Sequence, residues 1–564
     1  MLNLSVTEKE KLPASDSLPA FFQQLDTGIP AFTWSQQDSV LLHYLQFLDF
    51  FYLVEVPKLV ARHGKDAEAA IESRTACGAA YIIRWICDPS RTKGQSNLTI
   101  GPISQEEINQ FADAQYFAVD YSECRDWENS IYEGFCAAEA VSDLHMKVRR
   151  QNDVRLRGEA FEWLMKKMHN QLAGSQFDPA PLVATAFTGL VFPDRFSVPD
   201  YRIDEYLAAS NPRFNGLWRM DPDSSFDTFS LADLRKFWFV VYAMADIQLN
   251  LARQSSPFPF QKVILRHSYD SWLSKITTAS KLDIAKVQSI LNYFIYEPNE
   301  PAKSDAALQP FFRLADGQVI LSNTLVRFSN IEDNFVALYI RKFPSEYGTV
   351  ASQKEKWWIG HKKPEIAAKG YDVRGPFVFS NAQGKNKGDI DLFILDRKTG
   401  IALCCQFKWL LIPDRFQQSN MDRVLKGVRQ AVDAIEWLKL DPDRAQATLG
   451  IRKKFYKNIT LLPLLVSRDW MLNGLDNCGS VPIVSEVLLD CLLERAPSEN
   501  PLLSIWECLK QGTYLPVIDE DFSLETKEIK RSGVILEYDS LTARSGKEWS
   551  PDNIHFRSLT VPPQ

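Results

Sequence analysis

Through the first half of the chain, apolar positions recur every three to four residues, which predicts helices. The 3.6-residue period is clear over residues 41–60. His43, Gln46, Asp49, Glu55 and Lys58 interrupt it, so it reads as an amphipathic helix of a folded core, not a membrane span. An Ala-rich stretch with few breakers predicts a helix over 67–87, and shorter patterns predict helices over 105–117 and 156–172. Ser230 with Asp233 three positions on is a helix-start signal ahead of a long apolar run, so 230–251 reads as a capped, buried helix. Residues 281–296 form another. The segment 298–304, PNEPAKS, reads as a hinge. Residues 311–327 read as a hairpin turning at Ala315-Asp316-Gly317, and 330–359 as one or two helices.

Near residue 370 the period changes. Gly370-Tyr371 ends a helix and 377–380 is a short strand. A polar loop over 381–388 leads into strands 389–395 and 401–409, joined by a five-residue turn. Residues 420–440 are strongly amphipathic, with Val424, Val428, Ala431, Ile435 and Leu438 on one face. Strands over 460–467 and 481–483 follow, then a helix over 485–494. Strands interleaved with helices predict a mixed α/β sheet covered by helices. The expected organisation is multidomain. A largely α-helical sensor or recognition region spans 1–300, a hairpin and helical connector 301–345, an α/β domain 346–500 and a C-terminal extension 501–564.

Composition narrows the class. A chain of 564 residues exceeds one domain. With 45% hydrophobic and 12% aromatic residues it is not a disordered chain. No repeat of fixed period points to a solenoid. Nine cysteines without a Cys-x-x-Cys pair, and seven histidines spread singly, argue for reduced thiols and against a zinc site. The N-terminal residues lack the basic and apolar regions of a signal peptide, and no stretch gives about 20 uninterrupted apolar residues. The expectation is a cytoplasmic protein with no membrane partner. No G-x-x-x-x-G-K-[ST] and no G-x-S-x-G occurs, which argues against a P-loop ATPase and an acyl hydrolase.

Charge is uneven. The whole chain is -7, but residues 351–470 carry 22 Lys and Arg against 13 Asp and Glu, a net of +9, leaving -16 elsewhere. Such asymmetry suits a local phosphate-binding surface. Candidate contacts are Lys362, Lys363, Lys385, Lys387, Arg397, Lys398, Arg423, Lys426 and Arg429.

The chemistry concentrates in Gly388-Asp389-Ile390-Asp391-Leu392 and Cys405-Gln406-Phe407-Lys408. Alternation along a strand puts Ile390, Leu392 and Ile394 on one face and Asp389 and Asp391 on the other. Gln406 and Lys408 share a face of the next strand, so a hairpin gathers Asp391, Gln406 and Lys408 around one point. A carboxylate, an amide oxygen and an ammonium suit a divalent metal: Mg²⁺ takes oxygen ligands and keeps several waters. Lys408 is placed to orient a water or to neutralise charge on a phosphate. Asp389 itself reads as a solvated strand start.

These residues resemble the core of the PD-(D/E)XK nuclease superfamily, in the Mrr-like form with Gln-x-Lys. The resemblance covers about residues 345–495. It implies a restriction-endonuclease-like α/β domain with Mg²⁺ or Mn²⁺ as cofactor and Asp391, Gln406, Lys408 and Glu355 as catalytic residues. Asp391, Gln406 and Glu355 would be the metal ligands. Glu355 lies on the helix before the strands, with Glu365, just after Pro364, the second candidate. Gln430 matches the placement of a polar residue on the following helix. Trp357 and Trp358 read as packing residues of the first helix rather than as base-stacking ones. The implied activity is phosphodiester hydrolysis of DNA, with RNA open. The helical region would recognise a target, a protein partner or a foreign signal, as in bacterial anti-phage or restriction effectors, and a homo-oligomer stays open. The sequence departs from the pattern at Gln406, which removes a negative charge, and in the long spacing from Glu355 to Gly370. The alternative is a silent nuclease-fold scaffold that binds nucleic acid or protein.

Overall fold

The computed structural model describes residues 17–543 apart from 34, 65–67, 93–101, 133–135, 151–219, 299–303, 330, 381–385, 410–417, 441, 453–455, 457, 468–480 and 513–521. The helix expected over 156–172 and most of the hinge lie outside the described residues. The chain forms two compact units, one within Met1–Arg149, Asn170–Tyr347 and Lys527–Tyr538, the other within Arg150–His169, Gly348–Thr526 and Asp539–Gln564.

The first unit is mixed but dominated by helices. After α1 (Ser17–Asp26), α2 (Gln37–Phe50) passes through a π-helical turn, Phe51–Glu55, into α3 (Val56–His63). Every residue from Gln37 to Asp49 is buried, so this is a core helix and not the amphipathic one its polar residues suggest. Three of its polar residues find partners inside, while Gln46 Oε1 is buried without one. The Nδ1 of His43 is 2.9 Å from Glu107 Oε1, Asp38 accepts from the Ala315 N–H at 2.6 Å, and Asp49 accepts from Asn323 and Thr324. Among the described residues, Gln37–His63 is the one helical stretch long and apolar enough to cross a membrane, and most of that stretch is buried in the fold.

α4 (Glu68–Ile86) packs on α5 (Gln105–Tyr132), which runs well past residue 117. Its polar second half still turns Tyr121 and Cys124 inward, and Arg125 is held by Asp26 and Glu128. β1 (Cys136–Ser142) and β2 (His145–Arg150) join two strands from the far end of the chain, described below. After a short ladder of β3 (Ser225–Phe226) and β4 (Phe229–Ser230) comes α6 (Leu231–Gln254). The expected cap is present as a reciprocal box between Ser230 and Asp233. β5 (Leu265–Ser268), α7 (Tyr269–Ser280), α8 (Ile284–Phe294), β6 (Ile295–Tyr296), β7 (Phe311–Arg313) and β8 (Gln318–Leu321) complete a sheet of order β5-β8-β7-β6. The expected hairpin stops at Leu321, where Ser322 caps α9 (Asn323–Phe328), and α10 (Ile331–Lys342) follows. The segment that reads as a connector is therefore part of this unit.

The second unit opens with α11 (Tyr347–Ala368), then β9 (Asp372–Arg374), β10 (Phe377–Ser380), β11 (Asn386–Ile390), β12 (Leu392–Asp396) and β13 (Ile401–Lys408). α12 (Gln418–Leu440), α13 (Pro442–Leu449), β14 (Thr460–Ser467), β15 (Ile483–Ser485), α14 (Glu486–Arg495) and α15 (Pro501–Gln511) follow. The five-stranded sheet has the order β15-β14-β13-β12-β9, with β13–β14–β15 parallel and β13–β12–β9 antiparallel. It is the mixed sheet that the alternation of strands and helices predicts. Residues 501–543 are more than an extension. α15 buries Leu502, Ile505, Cys508 and Leu509 in this unit's core, whereas β16 (Phe522–Arg531) and β17 (Val534–Ala543) complete the first unit's sheet, β1-β2-β17-β16.

Candidate active site

The site is built around the end of β13, the central strand, all eight of whose residues are buried. Leu403, Cys405 and Phe407 face a core that includes Trp358 of α11, whose ring packs edge-on to Phe407 at 4.7 Å. Trp358 is thus the packing residue that the sequence suggests. Ala402 and Cys404 face α12, packing with Ala434 and Leu438. Gln406 and Lys408 continue that second face, and they are 0% and 8% exposed.

The strand carrying the aspartates is not continuous. β11 pairs with β10 in a separate ladder, β12 belongs to the main sheet, and Asp391 sits at the break. Ile390 consequently packs with Phe393 and Leu395, not on the expected face with Leu392 and Ile394. The chain makes this bend against Gly375, where φ is +114° and a Cβ would lie 2.7 Å from the Asp391 carbonyl oxygen, so no other residue fits there without a shift. Asp391 keeps one ladder bond, its N–H donating to the Cys405 carbonyl at 3.1 Å. Its side chain accepts from the Phe407 N–H at 2.7 Å. Burial pushes the Asp391 carboxyl up to about 6, against the opposing pull of Lys408 and the Phe407 N–H and with a further push from Asp389 and Glu355. Three carboxylates and one ammonium thus act on one another here.

The structure brings Glu355, Gln406 and Gln430 into contact with the segments around Asp391. Glu355, on α11, accepts from the Trp409 N–H at 3.2 Å and from Arg423 at 2.9 Å. Gln406 donates to the Asp389 carbonyl, and Gln430 donates to the Asp389 carboxylate at 2.9 Å. Asp389 is therefore a member of the site and not a solvated strand start. Counting through the strand as if it were regular hid this, because the break at Asp391 changes which way each side chain points. Gly427 of α12 admits the Lys408 side chain: a Cβ at this position would lie 2.9 Å from Lys408 Cγ and 2.7 Å from Leu465 Cδ1. The Lys408 ammonium has no ion pair or hydrogen bond among the described residues. Sequence reasoning also missed Lys354, fully buried with its ammonium 4.1 Å from the centre of the Trp409 ring.

Other candidates fall elsewhere. Lys362 is buried and ion-paired with Glu365, Glu486 and Asp490, so it holds α11 to α14 rather than phosphate, and Glu365 is engaged there too. Lys363 donates to the Gly375 carbonyl, and Arg397 pairs with Asp372. Lys398, Lys426 and Arg429 are exposed. Lys385 and the Lys387 side chain lie outside the described residues.

Among the described residues, no three His, Cys, Asp or Glu side chains are grouped as a metal site. The oxygen set here is of another kind. Gln406 Oε1 is buried with no hydrogen-bond partner, as is Gln430 Oε1. An orphaned amide oxygen near a half-buried carboxylate fits a hard cation such as Mg²⁺ or Mn²⁺. Comparison of the chain with protein-family models, with curated proteins and with solved structures finds no match.

Proposed function

We propose that the second unit is a metal-dependent nuclease of the PD-(D/E)XK type, hydrolysing phosphodiester bonds of DNA or RNA. One observation carries the reading. Asp391, a carboxylate with its proton held up to about 6, sits at a strand break facing the end of buried β13, where Gln406 keeps an amide oxygen without a hydrogen-bond partner and Lys408 an ammonium without a partner among the described residues. Asp391, Gln406 Oε1 and Glu355 would hold a divalent cation. A bound cation supplies Lewis-acid polarisation of the phosphate and acidifies a water. The residues do the rest. The Phe407 N–H holds the Asp391 carboxylate, and Gln406 Nε2 donates to the Asp389 carbonyl, which leaves Oε1 as the amide atom without a partner. Lys408, positioned through the gap at Gly427, stabilises charge on the phosphate oxygens and orients the attacking water.

The test is cleavage of supercoiled plasmid and of single-stranded RNA with Mg²⁺, Mn²⁺ or EDTA, beside Asp391→Ala and Lys408→Ala. Metal-dependent cleavage lost in both variants supports the reading. Metal-independent binding without cleavage of either substrate supports the scaffold reading, which the amide at Gln406 and the engagement of Glu355 with Arg423 favour.

A further inference from the structure

α12 lays a single stripe along the site. Arg423 meets Glu355, Gly427 passes the Lys408 stem and Gln430 meets Asp389, at positions i, i+4 and i+7 of one helix. Lys426 and Arg429 flank that stripe and are exposed. Arg423 differs from them: its side chain is 20% exposed and its guanidinium lies 2.9 Å from Glu355 Oε1. That same oxygen also accepts the Trp409 N–H. A divalent cation bound at Glu355 would put two positive centres on one carboxylate, and each weakens the other's hold. The cation and the guanidinium therefore compete for the one carboxylate charge. The guanidinium sits on a flexible stem, and its planar fork matches a phosphate's paired oxygens.

We propose that Arg423 is a two-position residue: it neutralises Glu355 while no divalent cation is bound, and cation binding releases it to a backbone phosphate of a nucleic acid lying along Lys426 and Arg429. This rests on the nuclease reading. The exchange keeps the local charge balanced, since the cation replaces Arg423 at Glu355 and the phosphate replaces Glu355 at Arg423. It also couples the two ligands: the cation frees a phosphate contact, and the phosphate favours the state in which Glu355 is open to the cation.

The experiment has two arms on the full chain. In the first, Mn²⁺ affinity is measured by electron paramagnetic resonance for wild type, Arg423→Gln and Asp391→Asn. Arg423→Gln is expected to bind Mn²⁺ about tenfold more tightly, because its competitor is gone. Unchanged or weaker binding overturns the proposal. In the second, affinity for a short DNA duplex is measured in EDTA by fluorescence anisotropy. Glu355→Gln removes the Glu355 ion pair from Arg423 without metal and is expected to bind several-fold more tightly than wild type. That gain should vanish in the Glu355→Gln/Arg423→Gln double variant; a gain that persists comes from the lost carboxylate charge alone and overturns the proposal. Should Arg423→Gln fail to melt cooperatively, Arg423→Lys keeps the charge, loses the fork and should fall between the two in both arms. A wild type that binds Mn²⁺ no better than Asp391→Asn overturns the nuclease reading instead, while the EDTA arm still judges Arg423 by itself.

Discussion

Asp49, fully buried, and Asp391, half-buried, are both aspartates whose proton affinity is raised by burial, and their surroundings differ. Burial pushes Asp49 up to about 7 against hydrogen bonds from Thr324 and Asn323. Its oxygens receive the Thr324 hydroxyl at 2.7 Å, the Thr324 N–H at 3.1 Å and the Asn323 amide at 2.8 Å. Those contacts tie α2 to the first turn of α9, and they leave Asp49 saturated. Asp391 receives one N–H, and its surroundings contain two further carboxylates, an ammonium with no partner among the described residues and an orphaned amide oxygen. A saturated buried carboxylate belongs to the fold, and an unsaturated one in mixed charge is where a ligand fits.

Removing each group breaks the comparison most sharply. Asp391→Ala and Lys408→Ala should lower metal-dependent cleavage by about 10²–10³-fold, the range for losing one electrostatic contact in a transition state. Their thermal melts should stay within a few degrees of wild type. Asp49→Ala should do the reverse. It strands buried donors at Asn323 and Thr324, costs about 3 kcal/mol in urea unfolding and leaves residual folded protein as active as wild type. Loss of activity with Asp49→Ala in fully folded protein would show that the division between the two is wrong.

A smaller effect is expected at Gly427→Ala. Alanine improves helix propensity by about 1 kcal/mol, but its methyl meets the Lys408 stem. The result should be about a tenfold fall in kcat with little change in KM or melting temperature. Restoring activity with Mn²⁺ in place of Mg²⁺ would show instead that the metal ligands, not Lys408, had moved.

The pH dependence gives the smallest and most general check. The folded-state proton affinity of Asp391 is raised from its ordinary value of 3.8 to about 6. Its contribution to stability is therefore present below pH about 4, falls as pH rises to about 6 and is flat above. Asp391→Asn should remove that decline and be the more stable protein at pH 7. Divalent metal needs the ionised carboxylate, so Mn²⁺ binding by wild type should strengthen from pH 5 to 7 with proton release. Asp49 has the same sign over the wider window from 3.8 to about 7, with no effect on metal binding.

How much was legible varied by element. β14 matches the span read from TLLPLLVS, because a strand buried on both faces is an unbroken apolar run. α12 was legible from its 3.6 period, since one face packs and the other is wet. The Ser230 cap was legible because its chemistry is local. The character of α2 was not, because polar residues at His43 and Asp49 look exposed until their partners at Glu107 and Thr324 are known. The roles of Lys362 and Asp389 were hidden in the same way. A charge count sees the sign of Lys362 but not Asp490 beside it, and strand alternation places Asp389 only if the strand is straight.

The sequence by itself determined the mixed character of the second unit's sheet, its strands β13 and β14 and helix α12, and the closeness along the chain of Asp391 to the strand that carries Gln406 and Lys408. These follow from spacing along one chain, which local backbone geometry converts directly into position. Tertiary structure alone decided which groups are saturated and which are left open. Gly375 bends the chain at Asp391, Gly427 admits Lys408, Arg423 engages Glu355 and Gln406 keeps a bare oxygen. Each of those facts depends on a neighbour distant in sequence, and no periodicity encodes a partner that only folding brings within 3 Å.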